Sequence, residues 1–126
     1  MEFKQSNNSA IKKFLNSFKY AGIGIFTAFK EERNMKFHVL AMLLVIILGF
    51  VFHIEIIEWI ICIVLFAGVI AGEMINTAIE NVVDMITQEK NEKAKIVKDV
   101  AAGGVLIWAI GSAIIGFLIF IPKIFV

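Results

Sequence analysis

GEMINTAIENVVD, residues 72–84, follows a long and nearly unbroken apolar run and decides how this chain folds. The segment places Glu73, Asn76, Glu80 and Asp84 at successive spacings of three, four and four residues. A helix with 3.6 residues per turn aligns four side chains at those spacings along one face. An ionised side chain at the centre of a bilayer costs about 2.5 to 3.5 kcal/mol on insertion scales. The row therefore predicts a polar site that is buried among packed helices.

The composition places this chain among integral membrane proteins. It has 126 residues, of which 60% are hydrophobic, and a single proline. Three apolar runs, at about 37–54, 56–79 and 100–121, are each long enough to cross a hydrocarbon core of about 30 Å as a helix. We expect an all-α membrane protein in which residues 1–126 form a single integral membrane domain.

The distribution of basic residues predicts the orientation in the membrane. Lysine and arginine are concentrated ahead of the first apolar run and in the loop 90–98, whereas the connection 53–58 has neither. Basic loops stay on the cytoplasmic side of a membrane. The N-terminus and the second loop are therefore predicted to be cytoplasmic and the C-terminus outside, with Lys123 as the one basic residue on the opposite side.

Residues 9–30 have the pattern of an amphipathic helix. Apolar side chains such as Phe14 and Phe18 recur on one helical face, and Lys12 and Lys19 lie on the other. This arrangement favours a helix that lies in the membrane interface with its lysines toward anionic head groups. A helix that serves only as an anchor fits the same pattern.

A second polar cluster, KEERNMKFH at residues 30–38, stands where the chain enters the first apolar run. Alone it would be interpreted as a solvated charged turn. The predicted topology, however, places Glu32 on the same side of the membrane as Glu73 and Glu80. Carboxylates that converge from two helices supply the oxygen ligands that Mg²⁺ prefers.

The start of the third apolar run carries Lys98 and Asp99. A lysine ammonium and the free backbone N–H groups of a first helical turn can both contact phosphate oxygens. Lys93 and Lys95, in the loop itself, are interpreted as determinants of topology.

Small residues on the second and third runs, including Gly68, Gly72, Gly103 and Gly111, allow helices to pack closely. Three spans alone form a bundle too thin to hide Glu73 from lipid. We therefore expect an oligomer.

Residue patterns alone do not specify the reaction. The chain has no G-x-x-x-x-G-K-[ST] loop and no protein-kinase signature, so the common nucleotide-binding motifs are absent from the sequence.

Several of these segments nevertheless resemble one family, that of the prokaryotic diacylglycerol kinases and undecaprenol kinases. Residues 73–84 resemble its central signature, and AKIVKDVAAG at 94–103 resembles its A-K-x-x-K-D-x-A-A-G segment. Further matches are residues 17–21, Glu32, Asn34 and His38. The resemblance extends from about residue 14 to the end of the third apolar run.

The resemblance implies an architecture and a reaction. The expected fold is an N-terminal surface helix and three transmembrane helices in a homotrimer, with active sites shared between protomers. The expected activity is transfer of the γ-phosphate of ATP, with Mg²⁺, to a membrane lipid alcohol at the bacterial cytoplasmic membrane.

The resemblance also implies roles for individual residues. Glu73 is the expected general base, and Asn76 is expected to orient the reacting groups. Glu32 and Glu80 are the expected Mg²⁺ ligands.

Larger sets are implied for the two substrates. The implied nucleotide-binding residues are Lys13, Tyr20, Glu32, Glu80, Glu89, Lys90, Asn91, Lys98 and Asp99. The implied lipid-binding residues are Ser17, Asn34, His38, Glu73 and Ala102. Two positions depart from the family pattern, since Asn91 stands where a histidine is usual and Lys13 stands where diacylglycerol kinases have an arginine.

The lipid substrate is predicted from Asn34 and His38. Their presence after Glu32 resembles the Gram-positive branch of the family, which favours undecaprenol. Diacylglycerol is the alternative substrate. A non-enzymatic membrane scaffold or ion-handling oligomer is the alternative of another class, but it gives no reason for Lys98 and Asp99 beside an acidic row.

Overall fold

A computed structural model describes the backbone of residues 2–125 and the side-chain environment of residues 9–125. Within that range the chain forms four helices, which are α1 (Glu2–Glu31), α2 (Arg33–Val51), α3 (Ile56–Ile86) and α4 (Glu92–Ile124). Helices α2, α3 and α4 are each long and apolar enough to cross a membrane. The prediction of an all-α membrane protein with three apolar spans is therefore confirmed.

Helix α1 forms one unit of the chain, and α2 to α4 form the other. α1 is a continuous helix that begins at Glu2 rather than at residue 9 and passes through Gly22 and Gly24 without a break. Its large apolar side chains from Ile11 to Phe26 are exposed, and the rings of Phe14 and Phe18 contact each other edge to face at 5.2 Å. Its predicted place in the membrane interface stays a prediction.

Helix α3 packs mainly against α4 and, over a smaller area, against α2. The close approach of α3 and α4 depends on Gly68, where an added Cβ would overlap the indole ring of Trp108. The indole Nε1–H of Trp108 in turn donates to the carbonyl of Leu65 at 3.3 Å. A small residue and an aromatic ring thus fix the contact between the two helices.

The turn between α2 and α3 closes one end of the bundle. His53 adopts a φ of 51°, and the amide of Ile54 donates to the carbonyl of Gly49 at 3.1 Å. Beside this turn, Nζ of Lys123 lies 2.8 Å from Oε2 of Glu58. Lys123, the one basic residue on the side predicted to lie outside, is thus paired with a carboxylate.

At the other end of the bundle, α3 and α4 extend beyond the predicted spans 56–79 and 100–121. The 31 residues of α3 measure about 46 Å, whereas the hydrocarbon core of a bilayer is about 30 Å thick. Charged residues are therefore carried on helical extensions of α3 and α4, which are joined by residues 87–91.

Candidate active site

The polar row of α3 becomes more exposed toward the C-terminal end of the helix. Glu73 and Asn76 are buried, with 6% and 9% of their surface exposed, while Glu80 is half-buried and Asp84 is exposed. The predicted alignment on one helical face thus yields two buried and two accessible side chains. A buried carboxylate needs a polar partner, because an unpaired one is costly to remove from water.

The partner of Glu73 comes from α2. Nε2 of His38 lies 2.9 Å from Oε1 of Glu73, and the two residues are 35 positions apart in the chain. This contact joins the second turn of α2 to the middle of α3. Two of the predicted substrate-binding residues are therefore brought together.

Asn76 and Glu80, the next two residues of the row, are hydrogen-bonded to each other. Nδ2 of Asn76 donates to Oε1 of Glu80 at 3.3 Å. Oδ1 of Asn76 is buried and has no hydrogen-bond partner among the described residues. A buried amide oxygen usually has a donor or a cation beside it. Together with the carboxylate of Glu80, it provides oxygen ligands of the kind that fit Mg²⁺.

Within residues 33–125, no three histidine, cysteine, aspartate or glutamate side chains lie together as a metal site would require. The other predicted metal ligand, Glu32, directly follows α1, and its amide donates to the carbonyl of Ala28 at 3.0 Å. It belongs to the unit formed by α1, so its pairing with Glu80 stays a prediction.

A cavity of about 590 Å³ lies where α3 ends and α4 begins. Five of the predicted nucleotide-binding residues line it, namely Glu89, Lys90, Asn91, Lys98 and Asp99.

Two ion pairs organise this cavity. Nζ of Lys98 lies 2.6 Å from Oδ1 of Asp84, and Nζ of Lys95 lies 2.6 Å from Oδ2 of Asp99.

Asn91 also has a structural role, as the N-cap of α4. Its Oδ1 accepts hydrogen bonds from the amides of Lys93 and Ala94, at 2.9 and 3.2 Å, and so caps the N-terminus of α4. Asparagine is among the best residues for this position. The capping role gives a physical reason for asparagine at the position where the resemblance led us to expect a histidine.

The remaining predicted residues are accessible. Lys13, Ser17 and Tyr20 lie exposed on α1, and the hydroxyl of Ser17 donates to the carbonyl of Lys13 at 2.9 Å. Asn34 is exposed in the first turn of α2, and Ala102 is exposed on α4. Their roles in nucleotide or lipid binding stay predictions.

An apolar groove of about 460 Å³ runs among α2, α3 and α4. His38 lines it, together with Val45, Phe66 and Ala113, and its far end lies at Ile124. The groove therefore reaches His38, whose hydrogen-bond partner Glu73 lies behind it and does not line the groove.

Comparison with known proteins identifies the family of this chain. The family model of the prokaryotic diacylglycerol kinases matches residues 19–120, which is most of the chain. The chain belongs to the prokaryotic diacylglycerol kinase family.

Two named members of the prokaryotic diacylglycerol kinase family can be aligned with the chain. It is 44% identical to the undecaprenol kinase of Bacillus subtilis (strain 168) over 124 residues, which cover 98% of this chain and all of that protein. It is 38% identical to a diacylglycerol kinase of Synechocystis sp. (strain ATCC 27184 / PCC 6803 / Kazusa) over 111 residues, which cover 87% of this chain and 63% of that protein.

The structure gives the last residue of the predicted row a partner. Asp84 ends the row on α3, and its ion pair with Lys98 was not predicted. The available signal was its position four residues after Glu80 on the same helical face. Its partner could not be identified from spacing, because it lies on a different helix.

Proposed function

We propose that this chain is a lipid kinase that transfers the γ-phosphate of ATP to the hydroxyl of undecaprenol, giving undecaprenyl phosphate and ADP. The observation that carries the proposal is the position of Glu73, a buried carboxylate hydrogen-bonded to a histidine that lines an apolar groove. A lipid alcohol that lies with its chain against apolar helices would bring its hydroxyl to such a group. The choice of undecaprenol rests on the similarity to the Bacillus undecaprenol kinase over the whole chain.

Glu73 is the proposed general base. Its carboxylate takes the proton of the lipid hydroxyl while the hydroxyl oxygen forms a bond to the γ-phosphorus. The bond between the γ-phosphorus and the bridging oxygen breaks, and ADP leaves with that electron pair. The burial of Glu73 keeps bulk water, a competing acceptor, away from the reacting phosphoryl group.

Asn76, Glu80 and Glu32 are proposed to organise the phosphate side of the site. The amide of Asn76 is held by Glu80, which leaves its buried oxygen free to position a reacting group. Glu80 and Glu32 would hold Mg²⁺. When bound, this ion neutralises charge on the transferring phosphoryl group.

The cavity between α3 and α4 is the proposed nucleotide site. Lys98 supplies positive charge for phosphate oxygens. Free backbone N–H groups do not lie beside it as predicted, because α4 begins at Glu92 and the amides of Lys93 and Ala94 in its first turn already donate to Asn91. Asp99 and residues 89–91 would contact the rest of the nucleotide. Lys13 and Tyr20 would reach the nucleotide from α1.

The lipid is proposed to contact Ser17, Asn34 and Ala102 near its head group and to lay its polyprenyl chain in the apolar groove. α1 is proposed to lie in the membrane interface, because its exposed apolar side chains need a non-aqueous environment. Basic α1 and the basic loop after α3 would then be cytoplasmic and the C-terminus outside.

A homotrimer with shared active sites is the proposed assembly. Two features support it. The membrane helices expose most of their apolar surface, and residues 33–125 do not gather three metal-ligating side chains of the kinds named above. A neighbouring protomer could cover the exposed apolar surface and supply further metal-ligating side chains.

Phosphorylation of separate lipids tests the proposal. Purified protein in detergent micelles is given radiolabelled ATP and Mg²⁺ with either undecaprenol or diacylglycerol. We expect labelled undecaprenyl phosphate at the higher kcat/KM. A preference for diacylglycerol would instead support the activity named for the Synechocystis relative, and no labelled lipid from either alcohol would support a scaffold.

A further inference from the structure

The hydrogen bond between His38 and Glu73 has one possible direction when Glu73 is ionised, as its proposed role as general base requires. An ionised carboxylate only accepts hydrogen bonds, so Nε2 of His38 then carries the proton that lies between the two groups. This holds whether the imidazole is neutral or protonated, since Nε2–H is the donor in both forms. The hydrogen bond therefore does not depend on the charge of His38.

The hydrogen bond occupies one oxygen of the carboxylate. Oε1 of Glu73 faces His38, which leaves Oε2 for another partner. The last torsion of a glutamate side chain has a broad energy minimum, so burial alone does not fix the carboxylate plane. A donor anchored on a second helix does fix it.

His38 is well placed to act as such an anchor. Its side chain is 24% exposed, whereas that of Glu73 is 7% exposed, so the histidine lies on the groove side of the pair. It lies in the second turn of α2, and α2 packs against α3 at this level. A lipid hydroxyl that approaches along the groove would therefore reach His38 first and, behind it, the carboxylate of Glu73 that His38 orients.

We propose that His38 is a positioning residue for the kinase reaction: its Nε2–H holds Oε1 of Glu73 so that Oε2 faces the lipid hydroxyl and takes its proton. This inference rests on the proposed function of Glu73 as general base. It assigns His38 an effect on turnover, whereas the family resemblance implied a contact with the substrate.

Two substitutions separate these roles. His38→Gln keeps an N–H donor at nearly the position of Nε2, and His38→Leu removes the donor while keeping an apolar side chain. A misplacement of about 1 Å at a reacting group can cost about 100-fold in rate. We expect His38→Leu to lower kcat by about 10-fold to 100-fold with little change in KM for undecaprenol. We expect His38→Gln to recover most of that loss.

The second histidine of the chain provides the matched control. His53 lies in the turn at the opposite end of the bundle with a positive φ, which asparagine tolerates. His53→Asn should leave kcat and KM unchanged. With ¹⁵N-histidine labelling, the wild-type spectrum should show His38 protonated at Nε2, and Glu73→Ala should shift the His38 resonances but not those of His53.

The outcomes distinguish this inference from the proposed function. Wild-type protein that phosphorylates neither lipid would overturn both. Active wild-type protein whose His38→Leu variant keeps its kcat, or loses only affinity for undecaprenol, would overturn the positioning role alone. So would His38 resonances that do not respond to Glu73→Ala. A loss of kcat that His38→Gln repairs would support the proposal.

Discussion

Lys98 and Asp84 form an ion pair of 2.6 Å between the start of α4 and the end of α3. The pair lies in the wall of the cavity assigned to the nucleotide. A lysine ammonium has three donors, so Lys98 can keep Asp84 as a partner and still contact a phosphate oxygen. Asp84 thereby orients a side chain that is otherwise flexible.

Replacing Asp84 by asparagine should weaken ATP binding modestly. Both partners are partly exposed, and ion pairs of this kind are worth about 0.2 to 1 kcal/mol. We expect Asp84→Asn to raise KM for ATP by up to about fivefold, with KM for the lipid unchanged. The control is Lys93→Met, because Lys93 is exposed near the cavity but does not line it. An unchanged KM for ATP in Asp84→Asn would show that the pair does not orient Lys98 for the nucleotide.

Adding a methyl group at Gly68 should destabilise the bundle. The new Cβ would overlap the ring of Trp108, and overpacking of this kind costs about 1 to 3 kcal/mol. Thermal unfolding in detergent should show a lower midpoint for Gly68→Ala. The control is Gly72→Ala, where the Cβ would lie 3.7 Å from Cγ2 of Val105 and the helix gains up to about 1 kcal/mol in propensity. Equal midpoints for the two variants would contradict the packing described for α3 and α4.

Removing the charge of Lys123 should loosen the end of the bundle opposite the active site. Its ammonium contacts Glu58, which is only partly exposed, and also donates to the carbonyl of Ile119 at 3.1 Å. We expect Lys123→Met to lower stability by about 1 kcal/mol, since Glu58 loses its partner. Kinase activity at low temperature should be unchanged. The double variant Lys123→Met with Glu58→Gln should lose less stability than Lys123→Met alone, because no carboxylate is left without its partner. Equal losses of stability in the single and double variants would argue against the ion pair.

Filling the apolar groove should impair lipid binding. Ala113 lines the groove, and Ala113→Phe would occupy the space proposed for the polyprenyl chain. We expect a higher KM for undecaprenol with little change in KM for ATP. The control is Ile107→Phe, because Ile107 is 75% exposed on the same helix and lies outside the groove. Loss of the oligomer with unchanged KM would instead show that a second copy of the chain covers the groove.

Contacts within one helix could be predicted from the sequence, whereas contacts between helices could not. The alignment of Glu73, Asn76, Glu80 and Asp84 followed from spacing, because all four lie on α3. The partner of Glu73 is 35 residues away on α2, and no local pattern encodes how two membrane helices rotate against each other. The ion pair between Asp84 and Lys98 on α4 could not be predicted for the same reason.

Helix ends were also missed for a physical reason. Hydropathy predicted a third span at 100–121, but α4 begins at Glu92. Hydropathy reports where a helix crosses hydrocarbon, whereas five of the eight residues at 92–99 are charged and most of the eight have high helix propensity, so they continue the helix in water. The cap at Asn91 was a readable signal, since asparagine followed by Glu-Lys-Ala is typical of a helix start.

Glu73 acts as general base in the proposed reaction, and the turnover of Glu73→Gln is the decisive measurement of this role. The substitution keeps the size of the side chain and an oxygen that can accept from His38 but removes the base, and general base catalysis contributes about 10²-fold to 10⁴-fold. The measurement is kcat for undecaprenol phosphorylation with saturating ATP, with oligomer size checked by size-exclusion chromatography. We expect kcat to fall within that range with the oligomer intact. A variant that keeps wild-type kcat would contradict it.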